Sequence, residues 1–267
     1  MTSDKTITSL QNPVIKKLRS LSAKKYRDED GIFMVEGARH VMDALAAKWQ
    51  PDTLAYAPRA LHDAAAVKAI EEARAVKAQV MEVTDDILSS ITNRDNAQPL
   101  LATFKQRTLT LEAAGSGFWV GLENIRDPGN LGTILRTADA VGAKGVLLLG
   151  TCCDPWSFEV VRASMGSFAR VPLVEAQAAE FLDWKKTYKG RVIGTHLHDK
   201  AVDYRDTAYV EPLVLLMGSE SEGLSAGMSA ACDTLVKIPM TSSTESLNLA
   251  VSTGIMLYEI AGRKLPK

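Results

Sequence analysis

Five apolar runs in the second half of the chain constrain its fold most: FWVGL (Phe118–Leu122), GVLLLG (Gly145–Gly150), RVIGT (Arg191–Thr195), LVLLMG (Leu213–Gly218) and LVKIP (Leu235–Pro239). They are continuous rather than alternating, the pattern of parallel strands covered by helices on both faces. Helical segments lie between them, among them Leu131–Val141 and Leu247–Ala261. This half reads as a doubly wound α/β domain, a class that binds ligands at the carboxyl ends of its strands.

The first half alternates in shorter pieces. A basic helical pattern, Pro13–Ala23, carries Val14, Ile15, Leu18 and Leu21 on one side. Strands are expected at Ile32–Gly37, Thr53–Ala57, Gln79–Val83 and Pro99–Phe104, with helices at Ala38–Lys48, from about Ala60 to Lys77, and from Thr84. Asp85 and Asp86 suit the start of that last helix. A small α/β domain, 1–106, thus precedes a second, 107–267, with the junction at or just before the small, polar stretch Glu112–Gly117.

A net charge of −1 over 267 residues gives the whole chain no pull on a polyanion. Locally, Lys5, Lys16, Lys17, Arg19, Lys24, Lys25 and Arg27 follow one another with no acid between them. Such a run attracts phosphates in a salt-dependent way, and a solvated helix face reads the same. No apolar run approaches the roughly 20 residues of a bilayer span. The N-terminus lacks a signal peptide's apolar core. Cys152, Cys153 and Cys232 form neither a disulfide framework nor a paired ligand spacing. A cytoplasmic protein without a membrane partner is expected. His196, His198 and Asp199 could hold zinc, but no further His/Cys cluster completes a shell, and no metal is expected.

Three clusters stand at strand ends. In ENIRDPGNLGTILRTADAVGA (Glu123–Ala143), Asp-Pro-Gly makes a turn and Asn130 suits an N-cap. Arg136 lies off the buried stripe of that helix and can lean back towards Asn130, or be a plain surface arginine. In LLMGSESEGLS (Leu215–Ser225), Gly218 admits close backbone approach and Glu220 follows in a turn, unless its acids only face water. This is not the Gly-x-Ser-x-Gly elbow of hydrolases. In IPMTSSTESLNLAVSTGIMLYEI (Ile238–Ile260), Ser246, Leu247 and Asn248 open a helix, and Ser246 is either a cap or a ligand contact.

In combination and order, DPGNLGTILRTADAVG, LLMGSESEGL and IPM…ESLNLAVS closely resemble the three motifs of the SpoU (TrmH-like) branch of the SPOUT methyltransferases. VVRASMGSFARVP (Val160–Pro172) is similar to the segment between the first two motifs. FMVEGARHVMDA (Phe33–Ala44) resembles the ribosomal-protein-like RNA-binding domain that precedes many members. The resemblance implies a SPOUT-type α/β domain with a C-terminal trefoil knot, which general topology rules would have rejected. It implies S-adenosyl-L-methionine as cofactor, held by Thr195, His196, Met217, Gly218, Ile238, Met240, Ser246 and Leu247. Asn130, Arg136, Glu220, Ser246 and Asn248 are implied at the reaction centre. Transfer of methyl to a ribose 2′-hydroxyl of RNA follows, with ribosomal RNA expected ahead of transfer RNA, and a homodimer. Lys16, Lys17, Arg19, Lys24, Lys25, Arg27 and Arg126 are the candidate RNA contacts. Two rivals remain: an RNA-binding protein of this fold lacking catalysis, and a dinucleotide oxidoreductase, which lacks its Gly-x-Gly-x-x-Gly here.

Overall fold

The computed structural model describes residues 6–197, 201–241 and 246–262. Through residue 106 the chain forms α1 (Pro13–Ser20), α2 (Lys24–Asp30), β1 (Ile32–Glu36), α3 (Ala38–Ala46), β2 (Pro51–Tyr56), α4 (Ala64–Ala75), β3 (Gln79–Glu82), α5 (Asp85–Thr92) and β4 (Leu100–Lys105). Next come β5 (Phe118–Glu123), α6 (Pro128–Ala140), β6 (Gly145–Leu149) and α7 (Phe158–Ala163). The remainder forms β7 (Leu173–Ala176), α8 (Ala178–Lys185), β8 (Arg191–Thr195), β9 (Val202–Asp203), β10 (Leu213–Met217), α9 (Ala226–Ala231), β11 (Thr234–Lys237) and α10 (Leu249–Ala261).

Two compact units result: residues 1–106 with 154–170, and residues 107–153 with 171–267. The expected second domain, 107–267, is therefore not contiguous. Its segment 154–170 belongs to the first unit because that unit's core needs it. Trp156 and Phe168 pack against Phe33, with ring centroids 4.6 and 5.7 Å away, and Trp49 Nε1 donates to Ala169 O at 3.0 Å. Such a shared aromatic core is invisible to a reading that cuts the chain once.

The first unit holds a four-stranded sheet of order β1-β4-β2-β3. β4 runs antiparallel to both neighbours, and β2 pairs with β3 in parallel. Ile15, Leu18 and Leu21 are buried as the helical pattern requires. The expected helix 13–23 ends at Ser20, however, and a second, α2, follows. Thr84 caps α5, its side chain accepting from the N–H of Ile87.

In the second unit seven strands run in the order β7-β6-β5-β10-β8-β11-β9, and every pairing is parallel. β5, β6 and β10 are buried along their length, as continuous apolar runs between two helical layers must be. β7 and β9 escaped the sequence reading because they are short: LVEA and VD are too brief for a periodic signal. The ends of β8, β10 and β11 lie side by side, and the chemistry gathers there.

Candidate functional site

A cavity of about 380 Å³ opens beyond those three strand ends. All eight residues expected at the cofactor line it: Thr195 and His196 after β8, Met217 and Gly218 after β10, and Ile238, Met240, Ser246 and Leu247 between β11 and α10. His198 and Asp199 lie outside the described residues. Among the described residues no group of three or more His, Cys, Asp or Glu is placed to hold a metal. The lining mixes apolar side chains (Met217, Ile238, Met240, Leu247) with the acids Glu220 and Glu222, which suits a ligand carrying an apolar body and a cationic centre.

The wall after β10 is a tight turn. Ser219 and Gly223 exchange backbone hydrogen bonds of 3.1 and 3.0 Å. Gly218 must be glycine here, because a Cβ would sit 2.0 Å from the carbonyl carbon of Gly223. Sequence reasoning missed the group that anchors this turn. Glu123, at the end of β5, is 3% exposed and its Oε2 accepts from the N–H of Ser225 at 2.8 Å. An acid closing an otherwise apolar strand was the available signal. Thr195 Oγ1 lies 3.4 Å from Met217 Sδ and from Leu216 O, tying β8 to β10 at the cavity floor. Lys237, Leu249 and Ser252 also line the cavity without having been expected.

Beside it the polar residues of the three motifs form a directed chain. Asn248 Oδ1 accepts from the N–H of Val251 at 3.2 Å, so its Nδ2 must point the other way, donating to Asn130 Oδ1 at 3.0 Å. Asn130 Nδ2 in turn donates to Glu220 Oε1 at 2.5 Å. A backbone donor fixes one end and a carboxylate acceptor the other, so both amides have a single orientation. Two cap assignments change accordingly. Asp127, not Asn130, caps α6, its Oδ1 accepting from the N–H of Asn130 at 2.6 Å. Asn248, not Ser246, caps α10, which leaves Ser246 exposed on the cavity rim. Arg136 is exposed two turns into α6 and does not line the cavity.

Of the candidate RNA contacts, Arg27 is corrected. It is 5% exposed, ion-paired with Asp154, and its Nη1 donates to Leu21 O and Ser22 O at 2.6 and 2.8 Å. Lys17, Lys24 and Lys25 are exposed but sit beside Asp30, Asp28 and Glu29, the acids that follow the basic run. Lys16, Arg19 and Arg126 are exposed. The cysteines are free thiols. Burial pushes Cys152 up and raises Cys232 to about 12, which disfavours the thiolate at both. At the far sheet edge the Arg205 guanidinium holds Asp203 down at about 2.

The model of the SpoU rRNA methylase family matches residues 117–258, more than half of the chain, and that of the MRM3-like substrate-binding domain matches residues 12–102. An uncharacterised tRNA/rRNA methyltransferase of Synechocystis is 32% identical, with 97% of this chain and 94% of that protein covered. The 23S rRNA guanosine 2′-O-methyltransferase of Bacillus subtilis is 28% identical over 97% of this chain and 100% of its own. The crystal structure of an AdoMet-bound rRNA methyltransferase from Sinorhizobium meliloti is 42% identical, with a TM-score of 0.89 over 98% of this chain and 99% of that one. The chain belongs to the SpoU rRNA methylase family.

Proposed function

We propose that this protein transfers a methyl group from S-adenosyl-L-methionine to a ribose 2′-hydroxyl of ribosomal RNA. The observation that carries the reading is the convergence of three motif loops on one cavity, with the Glu220–Asn130–Asn248 chain at its side. Relatives named as 23S rRNA 2′-O-methyltransferases support ribosomal RNA over transfer RNA.

When bound, S-adenosylmethionine supplies an electrophilic methyl on a cationic sulfur. Transfer would form the O–CH₃ bond as the S–CH₃ bond breaks, leaving the neutral thioether S-adenosylhomocysteine and releasing the hydroxyl proton to solvent water. The chain's task is alignment of oxygen, carbon and sulfur, which supplies much of the rate gain. The turn at Gly218 and the apolar side chains of Met217, Ile238 and Leu247 bind and exclude water. Arg136 stabilises the developing alkoxide or positions a neighbouring phosphate; a guanidinium stays protonated and is not a base. Asn130, Ser246 and Asn248 orient the nucleotide, and Glu220 keeps Oε2 open to receive a hydrogen bond from it.

The active form is a homodimer with the motif regions at the subunit contact. α10 packs along α6 and leaves Val251 and Tyr258 53% and 54% exposed, an apolar surface suited to a second copy. Arg136, which does not line the cavity of its own chain, serves across such a contact. The C-terminal segment is threaded as a trefoil knot, a reading supported by β10 lying between β5 and β8. Free cysteines support a reducing, cytoplasmic setting.

Incubation with unmodified rRNA and methyl-labelled S-adenosylmethionine, followed by nucleoside analysis, tests the reaction. Label in a 2′-O-methyl ribonucleoside is expected; label in a base, or RNA bound without any transfer, would overturn it.

A further inference from the structure

Within the first unit a groove of about 690 Å³ runs between the start of α3, the loop after α5 and α7. Its lining includes Gly37, Arg39, Asn93, Arg94, Phe158 and Arg162. The size falls in the range of ligand sites.

Charge pairing sets two of its residues apart. Three arginines elsewhere in this unit are held by acids: Arg27 by Asp154, Arg59 by Asp85 and Arg170 by Asp43. Arg94, in the groove, pairs with Glu36 at 3.1 Å. Arg39 and Arg162 are exposed and have no carboxylate or other hydrogen-bonding partner among the described residues. The groove's acids are largely engaged already. Glu36 also accepts from the N–H of Gln98 at 2.8 Å, and Asp63 accepts from the N–H of Ala65 at 2.9 Å. Glu159 alone among them has no partner in the described residues.

We infer that this groove grips the sugar–phosphate backbone of the RNA substrate through the guanidinium forks of Arg39 and Arg162. A planar fork matches two phosphate oxygens, and a guanidinium with no internal acid offers its whole charge to them. α3 adds to the same wall: Gly37, in the left-handed region at φ 94°, precedes its first turn without any side-chain cap, leaving oriented N–H groups. Within the conspicuous basic run, Lys17, Lys24, Lys25 and Arg27 already face acids and have less charge to offer RNA. The inference rests on RNA being the substrate, as proposed above.

Filter binding of an unmodified 23S rRNA transcript by the full chain, repeated across salt concentrations, tests it. Arg39→Gln with Arg162→Gln should weaken binding about tenfold near physiological salt and flatten the log–log salt slope by about 2. Calorimetric affinity for S-adenosylmethionine should be unchanged, and a thermal melt checks folding, which neither exposed side chain supports. Glu159→Gln should tighten binding, and Lys24→Gln with Lys25→Gln should change it less than the arginine pair does. Wild-type affinity and slope in the double arginine variant would overturn the inference. So would an equal loss in the lysine variant, or a wild type that does not bind the transcript. A wild type that binds but transfers no methyl would instead refute the proposed reaction and leave the groove standing.

Discussion

Replacing Gly218 by alanine should disable the cofactor cavity while leaving the fold intact. The added Cβ would meet the carbonyl carbon of Gly223 at 2.0 Å, the nitrogen of Leu224 at 2.2 Å and the oxygen of Gly223 at 2.3 Å. All three are backbone atoms, so no side chain can swing aside and the 219–223 turn itself must move. The turn is closed by two hydrogen bonds, of 3.1 and 3.0 Å between Ser219 and Gly223. Losing both costs about 1–3 kcal/mol, and relieving an overpacked contact costs about the same. These describe one displacement and do not add. A loss of about 2 kcal/mol weakens S-adenosylmethionine binding roughly 30-fold, because Ser219, Glu220 and Gly223 line the cavity. Calorimetric titration reads this directly. Gly227→Ala is the control: in α9 its Cβ would meet Leu182 Cδ1 at 3.7 Å, ordinary contact, and the helix gains from alanine. Its cofactor affinity should match wild type. A Gly218→Ala protein that binds S-adenosylmethionine within twofold of wild type would refute the reasoning.

Asn130→Asp puts a carboxylate where an amide now donates to Glu220 Oε1 at 2.5 Å. Single-turnover methylation should slow by about 10- to 100-fold, the worth of a hydrogen bond to a charged group. Asn248→Ala, which removes a neutral bond to Asn130 together with the cap of α10, should slow it about 3- to 10-fold in the same assay and cost about 1 kcal/mol in stability. Arg136→Ala should abolish methylation and leave cofactor affinity near wild type, since Arg136 stands outside the cavity; equal loss of both in rate and calorimetric measurements would contradict that division. Arg27→Met strands Asp154 in the first unit's interior and should cost about 3–5 kcal/mol in denaturant unfolding. A cost below 1 kcal/mol would show that the pair is better solvated than its burial indicates.

Where elements are long and their burial is uniform, the sequence announced them. The runs at β5, β6, β8, β10 and β11 stand as parallel strands, and the residues expected at the cofactor line a single cavity. What stayed hidden depends on contacts distant in sequence. Nothing in the local pattern of 154–170 says that Trp156 and Phe168 complete the aromatic core around Phe33. Likewise Arg27 looked like one more surface cation until Asp154, 127 residues away, was placed beside it. Asn130 was expected to cap its helix because Asn favours caps, yet Asp127 precedes Pro128 and takes that place. That frees the Asn130 amide to link Glu220 with Asn248, a network no single motif discloses.

A crystal structure of the full chain with S-adenosylmethionine tests the central claim most directly. The ligand is expected between Thr195, Gly218 and Ile238, with its methyl directed towards the Asn130–Glu220 pair. Density for it in another part of the chain, or a methyl facing away from that pair, would contradict the account.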